Sequence, residues 1–212
     1  MRLFLSFLIV MICSQISTAQ CTTPTISANG PIAFCQGESV TLSTAVATNA
    51  NYQWKLNGTT NVGVNSASFN AIASGSYTVT VTDASDGLGG TCAPSTSAAT
   101  IVTVNELPTA PTSLNNFSSC GSGAVTLTAT APSGSTIDWY SAAIGGTLLL
   151  SGASSFTTPS ISATTTYYAE AKNTTTNCVS STRAAVVATV HVVPSAPTGT
   201  AGSRCGSGTV PL

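Results

Sequence analysis

The chain is 212 residues long and only 5% charged, with five Lys and Arg against six Asp and Glu, one His and a net charge of −1. Its basic residues are scattered as Arg2, Lys55, Lys172, Arg183 and Arg204, which excludes nucleic acid as a partner, because phosphates are held by clustered Lys and Arg. At 42% hydrophobic with almost no net charge the chain has enough apolar surface to fold, so disorder is excluded as well.

Residues 1–20 carry the marks of a secretory signal peptide. Arg2 is the positive n-region, Leu3 to Cys13 an apolar run of 11, and Ser17-Thr18-Ala19 the small-residue cleavage site before a mature start at Gln20 or Cys21. A bilayer takes about 20 apolar residues and no later segment comes close, so no membrane span is expected. Gln20, standing where a lipoprotein has a small residue, argues against a lipid on Cys21. The expected localisation is secreted, extracellular or cell surface. Export leaves six cysteines, Cys21, Cys35, Cys92, Cys120, Cys178 and Cys205, and an oxidising destination makes disulfides their default state. They form no CxxC pair and no Cys/His cluster, so no metal is expected of them.

Beyond the signal, period-2 alternation dominates and helical periodicity is almost absent, which predicts an all-β chain. A first module, 21–105, reads as strands at 39–45, 51–56, 67–72, 76–82 and 98–104, parted by Asn57-Gly58, Ser74-Gly75, Asp86-Gly87 and Gly89-Gly90. A second, 106–193, reads as strands at 124–130, 136–140, 147–150, 155–158, 166–172 and 184–192, with turns at 132–134 and Gly145-Gly146. Glu106 to Thr112 carries Pro108 and Pro111, and Pro194 to Thr198 carries Pro194 and Pro197, which makes both connections short and stiff. Residues 194–212 read as the start of a truncated third module, because CGSGTVPL from Cys205 repeats CGSGAVTL from Cys120; the chain is expected to be the front of a longer protein.

The modules share one skeleton. Cys35, Trp54, Tyr77 and Cys92 are answered by Cys120, Trp139, Tyr167 and Cys178, with a Cys to Trp spacing of 19 residues in both (54−35 and 139−120). Such agreement marks a tandem repeat. Along 77–82, Tyr77, Val79 and Val81 point one way and Thr78, Thr80 and Thr82 the other, as in a sheet with one wet face. Val40, Leu42, Tyr52, Trp54 and Phe69 are expected beside Tyr77 in the first core. Val125, Leu127, Ile137, Trp139, Phe156, Tyr167 and Ala169 are expected in the second. Short strands, even spacing and Gly-rich turns favour β-sandwiches.

VTLST at 40–44, Trp54 and GSYTV at 75–79 resemble the strand B, strand C and tyrosine-corner motifs of immunoglobulin domains, in order, and VTLTA, Trp139 and TTYYA at 165–169 repeat them. The segments CGSGAVTLTA, STIDWYSAAIGGT and SSFTTPSISATTTYYAEA look like the Ig-like modules of long secreted and surface proteins of gliding bacteria, cargo of type IX secretion. The resemblance covers 22–212 and implies tandem immunoglobulin-like β-sandwiches, with a sorting domain further along. It departs from the immunoglobulin pattern at the pin between strands B and F: those positions are Thr44 and Val79, and Ala129 and Ala169.

In immunoglobulin topology Cys35 lies nine residues before the strand B pin position Thr44 (44−35) and Cys92 follows strand F, so the two lie at opposite ends of the module. Nine extended residues span about 30 Å, far beyond the roughly 4.4–6.8 Å between Cα atoms that a disulfide tolerates. Bridges across junctions then become attractive: Cys21, at the start of strand A, shares an end with Cys92, and Cys35 could reach Cys178. Pairing within modules, Cys35 with Cys92 and Cys120 with Cys178, and free thiols stay open as alternatives.

Chemistry has little to work with. His191 lies in an alternating strand, where an edge or solvent-facing position explains it. No GxSxG elbow is present. The carboxylates Glu38, Asp83, Asp86, Glu106, Asp138 and Glu170 fall in turns, a connection or the outer face of strands, not as an evident dyad. Asp83 and Asp86 in DASDGLGG are the best cation candidates, but the second module has KNTTTN there, and Asp and Gly are what a tight turn prefers. Trp54 and Trp139 sit where a sandwich needs a core filler; Tyr140 and Tyr168 are the better candidates for a binding surface. No cofactor, no metal and no enzyme is expected. The expected function is that of a non-catalytic extracellular spacer, stalk or adhesion module, its partner an extracellular polysaccharide or a surface protein. The alternative is a carbohydrate-binding accessory region of a secreted hydrolase whose catalytic domain lies outside this chain.

Overall fold

The structure, a computed structural model, describes residues 21–85, 90–115, 117–199 and 205–207. The expected signal peptide at 1–20, the expected Asp86-Gly87 turn and most of the expected opening of a third module lie outside these residues. Every regular element among the described residues is a strand, and the chain divides into two compact units between Val104 and Asn105.

In the first unit a three-stranded sheet is formed by β1 (Ser27–Ala28), β3 (Val40–Ser43) and β6 (Ser68–Ala71), in that order. The facing sheet runs β2 (Ala33–Cys35), β9 (Thr100–Asn105), β7 (Gly75–Thr82), β4 (Asn51–Leu56) and β5 (Thr60–Val62), with β8 (Ser95–Thr96) also paired to β7. Asn57 and Gly58 both take positive φ, 57 being the rarer because it carries a side chain, and this is the backbone that returns β4 to β5. Alternation closes the core: Leu42, Trp54 and Val79 are 0% exposed, joined by Val40, Tyr77, Val102, Phe34 and Ala71 from both sheets. Burying Trp54 strands its indole N–H unless a partner is found; Nε1 donates to Ser66 O at 2.9 Å. The Tyr77 hydroxyl donates back to Ala73 O at 2.9 Å, the tyrosine corner that the GSYTV motif implies.

The second unit repeats the plan. Its small sheet is β10 (Thr112–Asn115), β12 (Thr126–Thr130) and β15 (Ser155–Thr157); its large one is β11 (Phe117–Cys120), β17 (Ala184–His191), β16 (Thr165–Asn173), β13 (Ser135–Tyr140) and β14 (Leu148–Leu150). β11 runs parallel to β17 from Phe117↔Ala188 to Cys120↔His191, while the other pairs are antiparallel. Leu127, Trp139, Ala169, Val186 and Ala188 are fully buried, and Trp139 Nε1 donates to Ala153 O at 2.8 Å, as Trp54 does in the first unit. The chain is thus all-β, built of immunoglobulin-like sandwiches in which strands A′, G, F, C and C′ face A, B and E.

The strands that the structure adds to the predicted ones are all at edges. β1, β2, β5 and β8 in the first unit and β10 and β11 in the second have two to four residues each, too few for alternation to register. Phe34 enters the first core from one of these, and Phe69 and Val81, expected inside, are only partly buried.

Candidate functional site

The two units differ most on the outer face of the C, C′ and F strands, and the difference starts from single residues. In the first unit Gln53 on β4 stands opposite Thr80 on β7. In the second the same cross-strand position is held by Asp138 on β13 and Glu170 on β16.

Two carboxylates directly opposite each other are destabilising, and both are buried, at 5% and 9% exposure. Each therefore needs its own partners. Asp138 Oδ1 accepts from Ser151 Oγ and from Gly152 N at 2.9 Å. Glu170 Oε1 accepts from Arg183 Nε at 3.0 Å. Arg183 Nη1 also donates to Ala142 O at 2.8 Å and Gly145 O at 2.7 Å, and its guanidinium lies 3.3 Å over the Tyr140 ring. One arginine thus ties the 141–147 loop, an aromatic ring and a buried carboxylate together. Burial pushes the Tyr140 phenol above its usual range, and the hydrogen-bonded Glu170 adds to this. Tyr140, expected to be a bare outward ring, is capped by Arg183; Tyr168, its cross-strand neighbour, is half-buried. Asp138 and Glu170 face outward as expected, yet are largely buried. Asp138 Oδ1 and Glu170 Oε1 are engaged by the protein's own donors, and Glu170 and Arg183 line a pocket of about 210 Å³ beside the 141–147 loop.

On the first unit the face stays open. A groove of about 270 Å³ is lined by Asn51, Gln53, Asn65, Thr80 and Thr82, with exposed Val64 at its rim. A chain of hydrogen bonds fixes the amides: Tyr52 N donates to Asn65 Oδ1 at 2.7 Å, Asn65 Nδ2 to Asn51 Oδ1 at 2.7 Å, and Asn51 Nδ2 to Asp83 Oδ2 at 2.9 Å. Thr82 Oγ1 donates to the same Asp83 oxygen at 3.3 Å. Asp83, at φ 57, holds a turn; Asp86, its expected companion, lies outside the described residues. Among the described residues no three His, Cys, Asp or Glu side chains are grouped to hold a metal ion.

At one end of the same unit Cys21 and Cys92 form a disulfide with Cα atoms 5.6 Å apart. The start of strand A and the F–G turn do share an end, and Cys92 is thereby unavailable to Cys35, which removes that intramodule alternative. Cys120 and Cys205 are free and exposed. Beside the Cys21–Cys92 bond a cavity of about 210 Å³ is lined in part by Thr44, Ala45, Val81 and Ser95. Thr44 is buried and its hydroxyl makes no hydrogen bond. His191 is exposed at the end of β17.

Residues 108–192 match the family model described as Ig-like domain CHU_C associated, which identifies that stretch as a bacterial Ig-like module. None of the curated proteins compared with the chain matches it. Among solved structures, the fibronectin(III)-like modules of Clostridium thermocellum CbhA are 16% identical over 79% of this chain and 94% of theirs, with a TM-score of 0.41. Sidekick-1 immunoglobulin domains 1–4 are 14% identical over 80% of this chain and 48% of theirs, at 0.38. The human OSCAR ligand-binding domain is 17% identical over 78% of this chain and 98% of that one, at 0.31. An Ig-like module of this kind fits a non-catalytic role, and its disulfides fit an oxidising, extracellular setting. Among the described residues no helix is long and apolar enough to cross a membrane.

Proposed function

We propose that the chain is a secreted spacer or adhesive stalk segment of a larger surface protein, of the type IX cargo carried by gliding bacteria. The signal peptide at 1–20, modules at 21–105 and 106–193 and the opening of a third at 194–212 are parts of this proposal. The observation that carries it is one sandwich topology built twice, each copy closed around its own tryptophan and tyrosine core. Repetition makes weak contacts of single modules useful, and stiff proline-bearing connections hold their spacing.

A staple between Cys35 and Cys178 belongs to the same reading. It rests on the sequence: Cys178 follows strand F as Cys92 does, but the second module has no cysteine where the first has Cys21. Peptide mapping of the unreduced protein is expected to yield a Cys35–Cys178 peptide beside the Cys21–Cys92 one. Small-angle scattering of the mature chain tests the spacer role. A stiff, elongated particle is expected, and a compact one overturns the reading.

A further inference from the structure

We propose that the outer groove of the first unit is a binding site for a neutral polysaccharide chain. Its floor is β4 and β7 and its wall the segment after β5, and it presents amides and hydroxyls from Asn51, Gln53, Asn65, Thr80 and Thr82. A side-chain amide offers two N–H donors and a carbonyl acceptor. The network of hydrogen bonds uses one donor on Asn65 and one on Asn51, so each keeps a second N–H, and Gln53, which donates through Nε2 to Trp54 O at 2.8 Å, keeps its carbonyl. Asp83, outside the lining, holds two of its residues in place through Oδ2, which accepts from Asn51 and Thr82.

Alternating donors and acceptors held in place by a hydrogen-bonded chain match vicinal hydroxyls, each of which donates and accepts. The groove lacks the cations that a phosphate or sulfate ester requires. Asp83, bonded to Asn51 and Thr82 of the lining, repels such groups. Val64, 79% exposed, supplies an apolar rim for the C–H face of a sugar ring. The equivalent face of the second unit has the same strands with a different outcome: Asp138 and Glu170 replace the neutral pair, and Arg183 binds Glu170 and the carbonyls of the 141–147 loop. The site is therefore a property of the first unit. It does not depend on the spacer reading, since a stalk with or without it remains a stalk.

The test is a titration of the full mature chain, ¹⁵N-labelled, with neutral hexasaccharides of β-glucan, xylan, mannan and chitin type, and with a sulfated oligosaccharide as a charged comparison. Saturable shifts of the Asn51, Gln53 and Asn65 side-chain amides are expected with at least one neutral probe. Gln53→Ala combined with Thr80→Ala is expected to weaken that probe by about tenfold, the loss of one or two hydrogen bonds. Should the double variant unfold, either single substitution carries the same sign. The proposal is overturned by any of three results: no saturable shift with any neutral probe, equal affinity in the folded variant, or tighter binding of the sulfated probe. Shifts confined to Tyr140 and Tyr168 of the second unit overturn it too.

Discussion

Gln53 opposite Thr80 and Asp138 opposite Glu170 occupy the same place in the same topology, yet one pair floors an open groove and the other a largely buried ion network. The difference teaches how little a repeat needs to change to gain or lose a surface. Once two carboxylates face each other, an arginine, a serine and a backbone N–H must be recruited, and the recruited arginine draws a loop over the site. Neutral amides make no such demand, so the first unit keeps its face bare.

The disulfide sets the units apart most strongly. Cys92→Ser opens a loop of 71 residues in sequence separation, for which the chain-entropy model gives about 4 kcal/mol. A fall of that size is expected in the melting transition of the first unit, with the second unit's unchanged by calorimetry. Removal of Arg183 strikes the other unit: Arg183→Met leaves Glu170 buried without its cation, at a cost of about 3 kcal/mol. Adding Asp138→Gln and Glu170→Thr to it gives the second unit the first unit's pair, and is expected to restore most of that stability in denaturant melts. If the triple variant stays as unstable as Arg183→Met alone, the comparison between the faces fails.

Thr44 sharpens it in the opposite direction. The second module has Ala129 at that place, and the Thr44 hydroxyl is buried without a partner; Thr44→Val is expected to stabilise the first unit by about 1 kcal/mol in chemical denaturation. The smallest effect is alkaline. Burial raises both the Tyr77 and Tyr140 phenols. A raised folded value means that their contribution to stability is whole below about pH 10, the unfolded value, and is lost as pH climbs through the folded ones. Ultraviolet titration of the folded protein is expected to show these two among the last of the five tyrosines to ionise, and Tyr140→Phe to remove one step from the upper limb.

Much of the architecture is legible in the residues because alternation is a physical consequence of a half-buried sheet. Trp54, Tyr77, Trp139 and Tyr167 are all buried, at positions where the repeat and the period-2 pattern coincide. The disulfide between Cys21 and Cys92 follows from topology, which brings the start of strand A and the end of strand F together. The short edge strands are not legible: two to four residues carry no periodicity, and their existence depends on a neighbour's unpaired N–H and C=O groups. The pairing of Glu170 with Arg183 is equally hidden, since the same arginine must also hold a loop about 40 positions earlier whose own sequence signals only a turn. The second glycine of that turn, Gly146, reports the crowding, because a Cβ there would meet Ala142 N at 2.9 Å. The open groove leaves a faint trace, an amide-rich stretch of Asn51, Gln53 and Asn65, whose convergence needs the fold.

The Cys21–Cys92 bond has one more consequence, for survival among proteases. A peptide bond cut anywhere between those two residues produces no departing fragment, since both halves remain joined through sulfur and held by the sheet pairs that cross the cut. The first unit can be nicked and still stand. A cut in the second unit's exposed 141–147 loop, by contrast, is resisted only by Arg183 and the strands around it.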